Sequence, residues 1–182
     1  MSRNTRLKKL DDPEGPFTAI ILAAAGLIRI NLADRITTCL ESPTLYYAVG
    51  QGALAIETRA HDPRVQDMVA LLSDWETSWR VLAEREMLRI LEGGCSVPVG
   101  VWSTFTSIEE DERATLKIEA VIASLSGDRA ITTELEREIS SAEEAEAVGR
   151  DVALELIAKG GKEILEELGR KVQSVQFEQR HA

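Results

Sequence analysis

The sequence has few of the residues that build disulfide, metal or nucleophilic sites. Of its 182 residues, two are Cys and two are His. Cys39 and Cys95 lie far apart without CxxC spacing, which argues against a disulfide framework and favours a reducing compartment. His61 and His181 form neither a metal cluster nor a nucleophile–base pair. We therefore expect no metal site and no metal catalysis.

Long hydrophobic runs and an excess of positive charge are also missing. The longest apolar run, "AIILAAAGLI", is about half of the roughly 20 residues that a membrane span needs, and the N-terminus has no apolar signal-peptide core. The net charge of −10 argues against nucleic acid or an anionic membrane as the main partner, since both select clustered Lys and Arg. We predict a cytoplasmic protein that binds neither. The basic stretch "RNTRLKK", residues 3–9, leaves room for an anionic small molecule.

The first 72 residues contain too few elements to close a domain. "FTAIILAAAG", residues 17–26, predicts a short buried strand of a parallel sheet, and residues 44–59 predict a glycine loop leading into a second strand. Asp62 and Pro63 predict the start of a helix. Its apolar face would comprise Val65, Met68, Val69 and Leu72. We interpret residues 1–72 as incomplete α/β elements that expose apolar surface.

A long helix is predicted next. Ser73 and Glu76 form a capping-box pattern, and Gly93 and Gly94 are typical of a helix end. The apolar stripe comprises Trp75, Trp79, Leu82, Ala83, Met87 and Ile90. The charged residues 84–86 predict a solvated or interdomain face of this helix.

Residues 73–172 then predict a self-sufficient α+β domain, followed by a tail over residues 173–182. "PVGVWSTFT", "ATLKIEAVIASL" and "RAITTELERE" predict a three-stranded antiparallel sheet with helices on one face, and "SGD" predicts the turn before the third strand. Ser141 and Glu144 predict the start of a last helix. Its buried register would contain Val148, Val152 and Leu156.

Five blocks in order carry a resemblance to a known family. "TRLKKLD", "AIILAAAGLIRI", "AVGQGALAIETR", "ETSWRVLAERE" and "LEGGCSVPVG" resemble successive blocks of the porphobilinogen deaminases, also called hydroxymethylbilane synthases. The resemblance runs from Thr5 to about Val172. It implies a transferase that condenses four porphobilinogens into hydroxymethylbilane and releases ammonia, in tetrapyrrole and heme synthesis. The growing chain is built on a covalently bound dipyrromethane cofactor.

The resemblance also implies which residues bind. It makes Cys95 the thioether anchor of the dipyrromethane, Arg6 and Arg29 the ligands of pyrrole carboxylates, and Gln51 a residue lining the cleft. Arginine suits this role because its guanidinium binds carboxylates through two hydrogen bonds. On its residue type alone, Cys95 is better explained as a buried structural thiol, and its place after a helix end disfavours a thiolate. We expect Cys39 to be a core residue.

The sequence departs from the family at its start. Family members have three domains, and the first supplies the catalytic aspartate, whereas the resemblance here begins inside the second. We therefore predict no catalytic residue in this chain, and we interpret residues 1–72 as the end of domain 2 and a strand returning to domain 1, of the periplasmic-binding-protein type. A C-terminal fragment, a truncated gene product and one half of a split enzyme all fit. The alternative function is a non-catalytic interaction module or pseudoenzyme.

Overall fold

A computed structural model describes residues 3–91, 98–110 and 113–167. The chain forms two compact units, Met1–Leu40 and Glu41–Ala182. The predicted domain boundary near residue 72 stays a prediction. In the described parts, no helix has both the length and the apolar character to cross a membrane.

The first unit is small and helical. It contains α1 (Arg3–Leu10), α2 (Ala24–Ile28) and a 3-10 turn (Ala33–Arg35). Leu7, Gly26 and Leu27 are its buried residues among those described, and an ion pair of 2.5 Å joins Asp11 to Arg35.

The strand predicted over residues 17–26 is not formed. Residues 17–23 have no regular structure, and α2 begins at Ala24. A strand needs a neighbour that accepts and donates its backbone hydrogen bonds, and none of the described strands pairs with this segment. Ile21 is accordingly 67% exposed. The prediction of a parallel strand was therefore wrong for this chain.

Residues 41–62 form a loop that contacts the C-terminal domain over its first part, up to Gly50, so the second strand predicted within residues 44–59 is also absent. Tyr47 alone makes a β-bridge, with N–H to O distances of 2.9 and 2.8 Å to and from Val101. The Ser42 hydroxyl donates to Glu119, and this bond, followed by Lys117, holds the pKa of Glu119 below its ordinary value. Beyond the bridge no described strand pairs with this segment, and Leu54 is 93% exposed.

Helix α3 (Pro63–Ala70) forms as predicted, with the Asp62 carboxylate accepting the N–H of Val65 at 3.4 Å. None of its described side chains is buried, since no element packs on its apolar face. Met68 is 68% exposed, and Leu71, just after the helix, is 87% exposed. The predicted exposure of apolar surface in this part of the chain is confirmed.

The C-terminal domain has the predicted α+β architecture. Strands β1 (Val99–Ile108), β2 (Ala114–Ala123) and β3 (Ala130–Ile139) form an antiparallel sheet in the order β1-β2-β3. Every second residue of β2 is fully buried, because β2 is the central strand and one face is covered. These residues are Ala114, Leu116, Ile118, Ala120 and Ile122.

Helices α4 (Trp75–Ile90) and α5 (Ala142–Leu156) cover that face. The predicted stripe of α5 is confirmed, since Val148, Val152 and Leu156 are all 0% exposed. The two helices approach closely at Gly149, where a Cβ atom would lie 1.9 Å from the carbonyl oxygen of Ala83. Only glycine permits this distance between the two helix backbones.

The helix starts follow the predicted chemistry with one difference. Ser141 caps α5 by accepting the N–H of Glu144, whose carboxylate accepts the N–H of Ser140 at 2.6 Å. The cap of α4 is Asp74 and not Ser73, since its carboxylate accepts the N–H of Thr77 at 2.8 Å. Hydrogen bonds from the side chain and then the backbone of Thr77 lower the pKa of Asp74. After α5, a π-helical turn (Ile157–Gly161) precedes the helical residues 162–167.

Candidate functional site

Helix α4 leads into the block that contains Cys95. The helix is capped at Leu91, whose N–H donates to the carbonyl oxygen of Met87 at 3.1 Å, and β1 begins at Val99. Cys95 and the predicted helix-ending glycines, Gly93 and Gly94, lie between these elements and outside the described residues. The anchor role of Cys95 therefore stays a prediction.

Gln51 lies on a tight turn of the loop that runs alongside the domain. Gly50 and Gly52, on either side of it, have φ angles of +70° and +87°, a backbone region that glycine adopts without strain. Two successive turn hydrogen bonds, Gln51 N–H to Ala48 O and Ala53 N–H to Gly50 O, measure 3.0 and 3.2 Å. These bonds present the Gln51 side chain to solvent.

Glu84 of α4 binds this turn, and the sequence did not predict this contact. The Glu84 side chain is buried, so of the two predicted alternatives the solvated face is wrong for this residue. One carboxylate oxygen accepts the N–H of Gly50 at 2.7 Å, and the other accepts the hydroxyl of Ser103 at 2.5 Å. Arg80 Nε donates to the same hydroxyl at 3.2 Å. The spacing along α4 indicates this burial, because Glu84 lies one residue after buried Ala83 and three before buried Met87.

The other two charged residues of that predicted face differ from Glu84. Arg85 is exposed, as expected. Glu86 accepts two hydrogen bonds from Arg89, at 2.7 and 2.6 Å, and one from Arg150 of α5 at 3.3 Å. The Arg89 contact is the larger cause of the lowered pKa of Glu86. This face therefore helps to join α4 to α5.

Arg6 and Arg29 belong to the first unit. Arg6 lies on α1, and Arg29 is the C-cap of α2, where its backbone N–H donates to Ala25 O at 3.1 Å. Both side chains are exposed, and neither forms an ion pair with a carboxylate of the described residues. Both guanidinium groups are thus available for an anionic ligand.

Two other predictions concern residues beside the site. Cys39 is exposed, so the expectation of a core residue was wrong; it lies in a segment without regular structure that has no sheet to cover it. Trp75 and Trp79 pack edge to face at 4.7 Å between ring centroids and belong to the core of the domain, as predicted.

Comparisons with known proteins agree with this architecture. Residues 2–67 match the family model "Porphobilinogen deaminase, dipyromethane cofactor binding domain", and residues 78–158 match "Porphobilinogen deaminase, C-terminal domain". The chain is 45% identical to a porphobilinogen deaminase of Debaryomyces hansenii over 161 residues, which are 88% of this chain and 44% of that protein.

Similar identities hold for two other relatives. The chain is 42% identical to the porphobilinogen deaminase of Saccharomyces cerevisiae, over 90% of this chain and 49% of the relative. It is 46% identical to that of Synechococcus elongatus, over 91% of this chain and 48% of the relative. The chain therefore spans about half the length of the curated relatives that it matches.

Proposed function

Since the chain belongs to the porphobilinogen deaminase family, we propose that it is the cofactor-bearing part of a hydroxymethylbilane synthase. The complete enzyme condenses four porphobilinogens into hydroxymethylbilane on a covalently bound dipyrromethane. Each condensation joins the aminomethyl carbon of one porphobilinogen to a pyrrole carbon and releases ammonia. A cytoplasmic place in tetrapyrrole and heme synthesis is part of the proposal.

The observation that carries this proposal is the order of the matches. Two models of one family cover residues 2–67 and 78–158 in succession, and relatives from yeasts and a cyanobacterium keep more than 40% identity across about nine-tenths of the chain. The elements that present Gln51 and lead to Cys95 lie within these matches.

The side chains present fit a dipyrromethane. Its acetate and propionate groups are anionic, and Arg6 and Arg29 offer exposed guanidinium groups without a carboxylate partner in the described part of the chain. A guanidinium binds a carboxylate through two parallel hydrogen bonds. We propose that Arg6 and Arg29 bind pyrrole carboxylates, that Gln51 lines the cleft, and that Cys95 forms the thioether.

When bound, the dipyrromethane would supply the pyrrole end on which the tetrapyrrole grows. The residues proposed here hold and orient anionic pyrroles, and none of them moves a proton. The catalytic aspartate that the family resemblance implies belongs to a first domain, and we assign its role to no carboxylate of this sequence. Catalysis by this chain therefore depends on residues that correspond to the N-terminal half of its relatives.

The exposed apolar surface supports such a half as a partner. Leu54, Leu71 and Leu72 are 93%, 87% and 72% exposed, a degree of exposure that is costly for large aliphatic side chains in water. We propose that residues corresponding to the N-terminal half of the relatives, on the same polypeptide or on a second one, cover this surface. The alternative function, a non-catalytic interaction module or pseudoenzyme, would keep the surface without the chemistry.

The experiment compares the 182-residue chain alone and the same chain produced with the N-terminal half of a relative. We expect porphobilinogen consumption and stoichiometric ammonia release only from the combined protein, because the groups that protonate the leaving amine and stabilise the cationic intermediate are supplied by that half. Arg29→Ala should weaken porphobilinogen use in the combined protein, while Arg64→Ala, at an exposed arginine of α3, serves as the control.

Each result decides between the two functions. A combined protein that folds together but consumes no porphobilinogen would favour the pseudoenzyme. Deamination by this chain alone would mean that catalytic residues exist among those described here as binding or structural. Equal loss in the two arginine variants would contradict the role of Arg29.

A further inference from the structure

The segment that carries Gln51 is held to the C-terminal domain by hydrogen bonds at two points, while the Val49 side chain between them packs against the domain core. The first is the bridge between Tyr47 and Val101 on the edge of β1. The second is the hydrogen bond of 2.7 Å from the Gly50 N–H to Glu84. Because residues 53–59 continue without any strand, nothing described beyond Gly52 fixes the turn to the domain.

Glu84 is a costly residue to bury unless its carboxylate is fully used. Its relative exposure is 7%, and each carboxylate oxygen accepts one hydrogen bond, from Gly50 and from Ser103. Arg80 donates in turn to Ser103 and brings positive charge toward the carboxylate through one hydroxyl. A backbone N–H bound to a carboxylate is a stronger contact than one bound to a neutral acceptor.

The same helix leads to the Cys95 block. Glu84 lies six residues before the end of α4 at Ile90, which is about 9 Å along a helix axis. The turn with Gln51 and the segment with Cys95 are therefore both connected to one rigid element.

We propose that Glu84 is a positioning residue that holds the Gln51 turn in fixed register with α4. It acts through the Gly50 N–H and contacts neither porphobilinogen nor the cofactor. The purpose of this attachment, to keep Gln51 in place while pyrroles bind, rests on the proposed function. The attachment of the turn by Glu84 is independent of that function.

The first test is hydrogen exchange in the unaltered chain, measured by NMR. The Gly50 amide should exchange at least about 10-fold more slowly than the Gly52 amide, for which no hydrogen bond is found in the described residues, as expected for a bond to a charged acceptor. Equal exchange at the two glycines would overturn the proposal without any substitution.

Two variants then separate position from charge. Glu84→Met removes both acceptors at similar size and should accelerate Gly50 exchange by about 10-fold or more. Glu84→Gln should accelerate Gly50 exchange much less than Glu84→Met, because its amide oxygen still accepts from Gly50, although as a weaker, neutral acceptor. Val152→Ala, a core change on α5, is the control for lost stability alone. Equal acceleration in Glu84→Met and Val152→Ala would refute a local attachment.

The combined protein tests the purpose. Glu84→Met should raise the KM for porphobilinogen several-fold more than it lowers kcat, whereas Val152→Ala should leave KM unchanged. The KM of Glu84→Gln should lie close to that of the unaltered protein. Fast Gly50 exchange with an unchanged KM would overturn the positioning role. If the unaltered combined protein is inactive, the proposed function fails, while exchange at Gly50 still decides whether Glu84 holds the turn.

Discussion

The closest contact between the two helices of the C-terminal domain gives the sharpest prediction of stability. At Gly149 of α5, an added Cβ atom would lie 1.9 Å from the Ala83 carbonyl oxygen, 2.7 Å from its carbonyl carbon and 3.0 Å from its Cα. All three atoms belong to the backbone of α4, so no side-chain rotation can relieve the contact. Gly149→Ala must therefore separate the helices or bend one of them.

The cost can be estimated from the distances. Real Cβ contacts are not shorter than 3.0 Å, so the helices must part locally by more than 1 Å. Overpacking of a core costs about 1–3 kcal/mol when side chains can adjust, and here they cannot. The intrinsic preference of a helix for alanine returns only about 1 kcal/mol. We expect a net loss of at least about 3 kcal/mol, a large share of the roughly 5–15 kcal/mol that stabilises a domain.

Urea unfolding of the 182-residue chain, followed by tryptophan fluorescence, measures this loss, since Trp79 of α4 is buried. With a slope of about 2 kcal/mol per molar urea, the midpoint should fall by about 1.5 M. Gly127→Ala is the control: its φ is +75° and no atom lies within 4 Å, so it should lose only about 1 kcal/mol through backbone strain. A loss below about 1 kcal/mol for Gly149→Ala would refute the described approach of α4 and α5.

Two further predictions concern pH and the exposed surface. The hydroxyls of Ser124 and Ser126 lower the pKa of Asp128 from 3.8 to about 2, so its contribution to stability is complete above pH 3.8 and is lost as the pH falls through about 2. The urea midpoints of the unaltered chain and Asp128→Asn should therefore differ by a constant amount at neutral pH and converge only below pH 3.8. Convergence already near neutral pH would contradict this prediction. A chain shortened to residues 73–182 should bind less hydrophobic dye than the full chain. It should also melt at a lower temperature than residues 41–182, because it lacks the Tyr47 bridge and the bond from Gly50 to Glu84. A full chain that binds no dye would contradict the exposure described.

The C-terminal domain could be predicted from the sequence because its signals are local and agree. Three predicted features depend only on neighbours within the same hundred residues, and the structure contains each of them. They are the alternation in β2, the Ser141 cap and the buried stripe of α5. The cap of α4 shifted by one residue to Asp74, since two adjacent side chains could both accept the first helical N–H groups and the carboxylate is the stronger acceptor.

The strands predicted near residues 17–26 and 44–59 failed for a different reason. Their apolar composition is typical of strands buried on both faces, but a strand exists only if another strand pairs with it. Ile21 and Leu54 have no such neighbour in the described chain. The sequence pattern of these segments therefore indicates neighbouring strands that the described residues do not supply.

The site was predictable only in part. The resemblance predicts a role for Gln51 and Cys95 but none for Glu84. A carboxylate on a helix normally indicates a solvated face, and the sequence left a solvated and an interdomain face open for Glu84. Its burial follows from the approach of a loop 34 residues earlier in the sequence, which no periodicity within α4 encodes. Contacts between distant segments are what the sequence pattern could not show.

Intact-mass measurement under denaturing conditions tests the proposal that Cys95 bears the dipyrromethane. Chain produced with the N-terminal half of a relative should carry the mass of two pyrrole units, because a thioether survives unfolding whereas a merely bound pigment does not. Cys39→Ser should keep this mass and the activity, and Cys95→Ser should lose both while remaining folded. An active combined protein whose Cys95 is unmodified and freely alkylated would contradict the account.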